Sequence, residues 1–574
     1  MRRGSPPGGP DGSGASGGAG GSGGSARGGS GGPSPRWSAR EAVAVVTEDF
    51  TEFPAPEAED AVPPTSVPEA DDGLLGWDGY GAARRRARER TGERESVISG
   101  TARIDGVPTV LISFEFGFLG GSLGERTGDR LVAAYTRARE LRLPVVSLIA
   151  TGGSRMQEGM RALTQLQRVA AQSALTRAAG LPQIAVVRDP TTGGGWATLG
   201  AGADVVLALP GAQIGFAGSR VRPVDADPYA YSAEGQLAAG QIDAIVPPTH
   251  LRTTLGRWLG LLAVGAGAVG SGSAGPGSAG PGAVEPGAVG PRTAGPGTVG
   301  PETTGRPVVP GPAASGPGEP LSTEPLPAES LPAEPLPASS EPAASGPVGA
   351  APPPPPLPPP HALGSSDLPA SGWAAVCAAR DERRPRAAAY LDAYFDWREE
   401  ISGDRCGGTD TGIRCGFGRR DGRTTAFAAQ CGTAVRPAGF RTAARLIRLA
   451  DRLGIPVLTL VDTPGAANDP DAERAGAGAA IADVFAALAS VRAPVTSLLI
   501  GEGGSGGALA LAAPGALWAT PDSYFSVIAP ESAAAILKRD ADAVRDTADQ
   551  LRLRPQDLLD LGIIQGIVPP APSE

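Results

Sequence analysis

The stretch Leu143-Pro144-Val145-Val146-Ser147-Leu148-Ile149-Ala150-Thr151-Gly152-Gly153-Ser154 decides the fold, because its layout returns later as Ile455-Pro456-Val457-Leu458-Thr459-Leu460-Val461-Asp462-Thr463-Pro464-Gly465-Ala466. In each copy a proline opens a nearly continuous apolar run that ends at a glycine turn. A second pair follows. Pro182 opens Gln183-Ile184-Ala185-Val186-Val187 ahead of Gly193-Gly194-Gly195, and Pro494 opens Val495-Thr496-Ser497-Leu498-Leu499-Ile500 ahead of Gly503-Gly504-Ser505-Gly506-Gly507. Pro144 to Pro182 and Pro456 to Pro494 both span 38 residues, so each landmark recurs 312 residues later. Two spacings held in step mark an internal duplication, and two copies at so long a period exclude a solenoid. Apolar runs this continuous suit strands buried on both faces. Each repeat reads strand, glycine turn, helix, which predicts an α/β arrangement with crossover helices.

Composition divides the rest of the chain. Of 574 residues, 85 are Gly and 59 are Pro, and they crowd into two regions. Residues 1–94 are Gly/Ser/Pro-rich, then acidic, then basic from Arg84 to Arg94. Residues 265–370 alternate Gly, Pro, Ala, Glu and Leu and include a proline run from Pro352 to Pro360. Both lack the periodic apolar residues that offset chain entropy, and both read as disordered or polyproline-like. Two folded units are left, 95–264 and 371–574, each large enough for its own core.

A net charge of -10 argues against a protein built to bind nucleic acid, and Arg84-Arg85-Arg86 reads as a solvated linker run. No stretch reaches the roughly 18 apolar residues of a spanning helix, so no membrane segment is expected. Arg2-Arg3 is not followed by an apolar region, so no secretory signal is expected and the chain reads as cytoplasmic. The four cysteines (Cys377, Cys406, Cys415, Cys431) lie in the second unit without a C-x-x-C pair. Free, mostly buried thiols are the expectation, with no zinc site.

The glycine turns carry the chemistry. At a strand-to-helix junction, glycine lets the backbone take unusual dihedrals and lets a ligand come close. The first helical N–H groups are unpaired there and point outward at the positive end of the helix dipole. Such a turn can hold a phosphate, or an anion that forms only during reaction. A lone Gly-Gly is usually a packing turn, but paired turns in two matched copies favour the functional reading. The segments Arg155–Leu163 and Ala508–Ala513 read as the helices that follow. Only two histidines exist, His250 and His361, the second inside the proline segment. Histidine-based nucleophilic or metal chemistry therefore has almost no material, and main-chain dipoles are left to stabilise a thioester enolate. Gly501-Glu502-Gly503-Gly504-Ser505-Gly506 also matches a dinucleotide fingerprint, with Asp522 as a candidate ribose contact, and no P-loop occurs.

At these residues the first unit resembles the β subunit of the bacterial carboxyltransferase of acetyl-CoA carboxylase. The matching signatures are Phe116-Gly117-Phe118-Leu119-Gly120-Gly121-Ser122-Leu123-Gly124, Gly152–Gly159, Asp189–Gly194 and Pro210–Gly218. The second unit resembles the α subunit through Arg383-Arg384-Pro385, Gly403-Asp404-Arg405, Pro437–Arg441, Asp462–Ala466, Gly501–Leu509 and Tyr524–Glu531. The resemblance implies two crotonase-like (ClpP/crotonase ββα superhelix) domains joined by a long disordered linker. It implies transfer of a carboxyl group from carboxybiotin, supplied in trans on a biotin carrier protein, to an acyl-CoA. The β-type half would hold the CoA ester and the α-type half biotin, in sites formed where the halves of paired subunits meet.

Carried over by residue, Gly152 and Gly153 would stabilise the thioester enolate oxygen, and Gly506 and Gly507 the oxyanion of biotin. Substrate contacts would fall at Gly120, Gly121, Arg155, Gly193, Gly194 and Ala508, with Arg155 either a CoA contact or a structural residue. The free urea nitrogen of biotin would take the acyl α-proton. A homodimer would reproduce the usual α2β2 content, and biotin carboxylase and the biotin carrier protein would be separate partners. The family's usual four-cysteine zinc ribbon has no counterpart in residues 1–95, which contain no cysteine. The segment after Val221 is short and Thr442 replaces a usual lysine, which bears on acyl-CoA choice. Acetyl-CoA and malonyl-CoA are the substrates implied, with propionyl-CoA open. Rival readings are a biotin-independent crotonase-like enzyme using Glu158 or Glu502, and a non-enzymatic scaffold.

Overall fold

The computed structural model describes residues 36–56, 72–262 and 355–571. In the first half, β1 (Asp49–Glu52), β2 (Val97–Ile104), β3 (Val107–Phe114), β4 (Val145–Thr151), β5 (Gln183–Thr192), β6 (Val205–Ala208), β7 (Ile214–Gly215) and β8 (Ala244–Ile245) form one sheet. Its order is β1-β2-β3-β4-β5-β6-β8, with β7 paired to β5. In the second half, β9 (Trp397–Ile401), β10 (Ile413–Arg420), β11 (Arg423–Gln430), β12 (Val457–Thr463), β13 (Val495–Gly504), β14 (Leu517–Ala519), β15 (Tyr524–Ser526) and β16 (Gly566–Ile567) repeat the plan. The order there is β9-β10-β11-β12-β13-β14-β16, with β15 paired to β13. Each sheet starts as an antiparallel meander and turns parallel from its third strand. Both halves are α/β units with one mixed, mainly parallel sheet, as the strand–turn–helix repeats imply.

The apolar runs form these central strands for a simple reason. Every residue of β4 and of β12 is buried, because helices cover both faces of the sheet. Prolines 144 and 494 sit just before strands and still contribute to the ladder, since their carbonyls accept the N–H of Val110 and Val457 at 2.9 Å. The long amphipathic helices Glu125–Leu141 and Pro437–Leu453 cross over between β3 and β4 and between β11 and β12. Between the halves, the helix Gln165–Ala178 packs against Ala477–Ser490. The indole of Trp196, 1% exposed, lies against Gly478, where a Cβ would collide with it.

Two expected boundaries need correction. The tail expected over 1–94 contains folded elements in its described parts. Ser38 caps the helix Ala39–Val46 in a capping box with Glu41, and the helix runs into β1, the edge strand of the first sheet. Ala39, Ala42, Val43 and Val46 recur at i, i+3, i+4 and i+7, so one stripe is buried despite the polar composition around it. The second half has the same pair, Ala387–Tyr394 followed by β9. The basic run also belongs to the fold: it lies in the helix Tyr80–Thr91, whose Tyr80 and Ala87 are buried. The other correction is at the linker's end. Among residues 355–370, Leu357 and Ala362 are buried, and the carbonyls of Leu357 and Pro358 accept from Thr496 and Tyr394. Proline lacks a donor but keeps its acceptor, so a proline-rich strap can dock through carbonyls. The remaining tail and linker expectations, over 1–35, 57–71 and 265–354, lie outside the described residues. Among the described residues, no helix is long and apolar enough to cross a membrane. The cysteines are free, but only Cys415 is fully buried, while Cys377 and Cys406 are exposed.

Candidate active site

The duplicated turns fold into the same backbone object twice. In the first half Gly153 has φ 102 and its N–H donates to Thr151 Oγ1 at 3.1 Å. In the second half Gly465 has φ 142 and donates to Thr463 Oγ1 at 3.1 Å. The carbonyl of Gly153 accepts from Leu123 N, and that of Gly465 from Val435 N. Beside each turn a helix begins. Gly193–Gly195 opens a helical turn that continues through Trp196–Gly200, and Ser505–Leu509 is a short helix directly after β13. Position 193 has φ 67 and position 505 has φ 53, so Ser505 holds a left-handed conformation where the first half uses glycine. Non-glycine residues adopt this region rarely, and such outliers concentrate at functional sites.

The two parts of each turn touch. A Cβ on Gly153 would sit 3.6 Å from Gly193 Cα and 3.9 Å from Gly194 N. A Cβ on Gly507 would sit 2.7 Å from Gly465 C and closer still to Ala466 N. First-turn amides of a helix lack an i−4 acceptor. In each half, helix-start N–H groups therefore lie against a left-handed glycine, and in the second half the space at Gly507 is too tight for a side chain. Open amides at a helix start are the kind of donor that suits an oxygen gaining negative charge during reaction. Its placement comes from the sequence: both turns end strands that are buried throughout, so their backbones have little freedom.

The side chains around these turns are already engaged. Gln430 is buried, accepts Asp462 N through Oε1 and donates to the Gly507 carbonyl at 2.9 Å, which orients the Gly507–Ala508 peptide. Arg384 and Asp462 form a buried ion pair at 2.5 Å under Gly501, where any Cβ would strike the guanidinium. Burial raises the Asp462 carboxyl and the two arginines beside it pull the other way. Glu502 is held by Arg380 and by the Tyr524 hydroxyl. Glu158 is held by Arg155, the Tyr80 hydroxyl and Glu125 N. Neither carboxylate is a free base.

Several expected site residues change role. The amide of Gly152 is not a free donor: it bonds the Gly120 carbonyl at 2.9 Å, because the left-handed Gly120-Gly121 turn brings that carbonyl in. Gly120 and Gly121 thus brace the first turn from below. Arg155, expected as a substrate contact, is 1% exposed and pairs with Glu95 and Glu158, with further bonds to Ser122. It is a structural ion pair. Gly193 and Gly194 lie beside Gly153 as described above, and Ala508 is buried behind Gly507. The helix expected over Ala508–Ala513 ends at Leu509, where Gln167 of the first half donates to the carbonyls of Leu509 and Ala512. The dinucleotide fingerprint fails on geometry: Gly501–Gly504 is strand, and Asp522 is buried against Gly364. Gly465, Ala466, Ser505 and Gln430 were not expected. The 312-residue repeat would have found Gly465 and Ser505 as the partners of Gly153 and Gly193, whereas Gln430 has no sequence signal.

Two α/β halves built on one plan, each with a glycine turn beside a helix start, place the chain in the class of duplicated α/β enzymes. Residues 77–251 match the family described as carboxyl transferase domain, and residues 369–573 the acetyl co-enzyme A carboxylase carboxyltransferase-like family. The chain is 36% identical over 529 residues to the acetyl-coenzyme A carboxylase carboxyl transferase subunits beta/alpha of Salinispora arenicola, a match covering 89% of this chain and 80% of that one. It is 33% identical over 499 residues to the protein of the same name from Saccharopolyspora erythraea, over 84% and 73% of the two chains. A probable biotin-dependent acyl-coenzyme A carboxylase beta3 subunit of Mycobacterium bovis is 30% identical over 520 residues, covering 89% of this chain and 86% of its own. The chain belongs to the acetyl-CoA carboxylase carboxyltransferase family, with β-type and α-type halves fused in one polypeptide, and is a biotin-dependent acyl-CoA carboxyltransferase.

Proposed function

We propose that this chain moves a carboxyl group from carboxybiotin, carried on a separate biotin carrier protein, to acetyl-CoA, giving malonyl-CoA for fatty acid or polyketide synthesis. The observation behind this reading is the pair of matched turns, each with helix-start amides against a left-handed glycine. In the first half the helix-start amides of Gly193 and Gly194, beside Gly153 whose own N–H is held by Thr151 Oγ1, would serve the thioester oxygen as charge builds on it. In the second half the helix-start amides of Gly506 and Gly507, beside Gly465 whose own N–H is held by Thr463 Oγ1, would serve the ureido oxygen of biotin. Because Glu158 and Glu502 are tied into ion pairs, the reading needs no side-chain base at either turn. Biotin carboxylase, which uses ATP, and the carrier are separate partners in this reading, and a homodimer supplies the α2β2 equivalent. The test mixes the purified chain with biotinylated carrier and malonyl-CoA, follows carboxyl transfer, and repeats it with propionyl- and longer acyl-CoA donors. Absence of transfer from every acyl-CoA would overturn the reading. Preference for a longer acyl chain would move the substrate while leaving the reaction.

A further inference from the structure

The junction between the halves contains a buried carboxylate that the chemistry above does not use. Glu473 ends the short helix Pro470–Arg474 of the second half and is 1% exposed. Its Oε1 accepts the N–H of Ala217 at 2.8 Å and its Oε2 that of Phe216 at 3.1 Å. These two amides belong to the first half and directly follow β7. Gly215 precedes them, and a Cβ there would come within 3.2 Å of the same carboxylate, so the turn closes on Glu473 with no room for a side chain. The Phe216 ring reaches across to the second half's helix start, 3.3 Å from where a Cβ of Gly506 would lie. Leu166 fills the rest of that face and lies against Gly194 as well.

We propose that Glu473 is a positioning residue: its carboxylate clamps the Phe216–Ala217 peptides and so holds the Phe216 ring as a wall over the Gly506 turn. The clamp depends on charge. An ionised carboxylate accepts both amides at full strength, while a protonated one has an O–H where one N–H must point. Burial pushes Glu473 up to about 7, against the two amides and Arg222, which lower it, and Asp469, which raises it further. The other facing groups do not titrate in that range. Arg222 stacks 4.0 Å over Tyr231 and donates its Nε to the Ala217 carbonyl, burial pushes Tyr231 up to about 12, and Asp469 is lowered by its amide bonds and Arg436. Nearby contacts across the junction, Tyr231 to the Asn468 carbonyl and Arg474 to Asp227, keep the halves docked when the clamp opens.

The activity readouts rest on the carboxyltransferase reading, and the amide readout does not. In Glu473→Gln, hydrogen exchange at the Phe216–Ala217 amides, corrected for intrinsic rate, should speed up roughly tenfold or more, as for loss of one charge-assisted bond. In transfer from malonyl-CoA to free biotin, Glu473→Gln and Phe216→Leu should each raise the KM for biotin and leave that for malonyl-CoA unchanged. Phe216→Leu should keep the amide protection, which separates the wall from the clamp. Wild-type exchange at these amides in Glu473→Gln would overturn the proposal, as would an equal rise in both KM values. A wild-type enzyme without any transfer would strike the functional reading, and amide exchange would still judge the clamp.

Discussion

Gly507→Ala tests the second-half turn with the smallest possible change. The added methyl would overlap Ala466 N and sit 2.7 Å from Gly465 C and 3.1 Å from Ala466 Cα. These are backbone atoms of a turn fixed on one side by the Val435–Ala466 bridge and on the other by Thr463, so no flexible side chain can give way. The turn must open by something near 1 Å, at an overpacking cost of about 1–3 kcal/mol. The larger effect is on function. Moving a donor by that distance removes most of its contribution to an oxyanion, a loss of roughly 100- to 1000-fold in kcat. Biotin-dependent turnover of malonyl-CoA should fall accordingly, while far-UV circular dichroism and the cooperativity of unfolding persist. Gly194→Ala provides the contrast, because the nearest atoms its methyl would meet belong to the Leu166 side chain rather than to backbone, so the loss there should be smaller. Wild-type turnover in Gly507→Ala, or a loss of activity that only mirrors loss of folded protein, would refute the assignment of this turn.

Three further outcomes follow from the same geometry. Arg155→Ala should cost about 3–5 kcal/mol in chemical denaturation, because it strands Glu95 and Glu158 beside a buried gap, and leave the KM for acyl-CoA unchanged in whatever folds. A raised KM at unchanged stability would return Arg155 to the substrate site. Burial opposes the Glu95 charge but Arg155 outweighs it and holds the carboxyl at about 2, below the ordinary value of 4.5, so this pair's stabilisation is full above that value and is lost as pH falls toward 2. Glu95→Gln should flatten that part of the stability curve measured in urea. Val46→Asp should destabilise the protein by several kcal/mol, since Val46 is fully buried in the helix ahead of β1, and a surface-like effect near zero would show that the segment is dispensable.

The strands were legible because their chemistry is local and repeated. A proline, five or six apolar residues and a glycine turn, found twice in step, specify a buried strand that feeds a helix. The helix Ala39–Val46 was hidden by its neighbourhood: its apolar stripe is only four residues of Ala and Val, and composition averaged over the tail conceals it. Arg155 could be read from the sequence as either a CoA contact or a structural residue. Its partner, Glu95, is 60 residues away in sequence, and only folding brings it in. The Gly152 amide was lost to Gly120 in the same way, through a bond between segments that the sequence keeps apart.

Taken alone, the sequence determined the duplication, the α/β class, the positions of the glycine turns and the family, because each depends on residue type and spacing along the chain. Tertiary structure decided which amides stay open, which charges are consumed in ion pairs, and that the first half's Phe216 and Leu166 cover the second half's Gly506. Hydrogen-bond donors and ions are satisfied by whatever the fold places within about 3 Å, and sequence order carries no information about that distance.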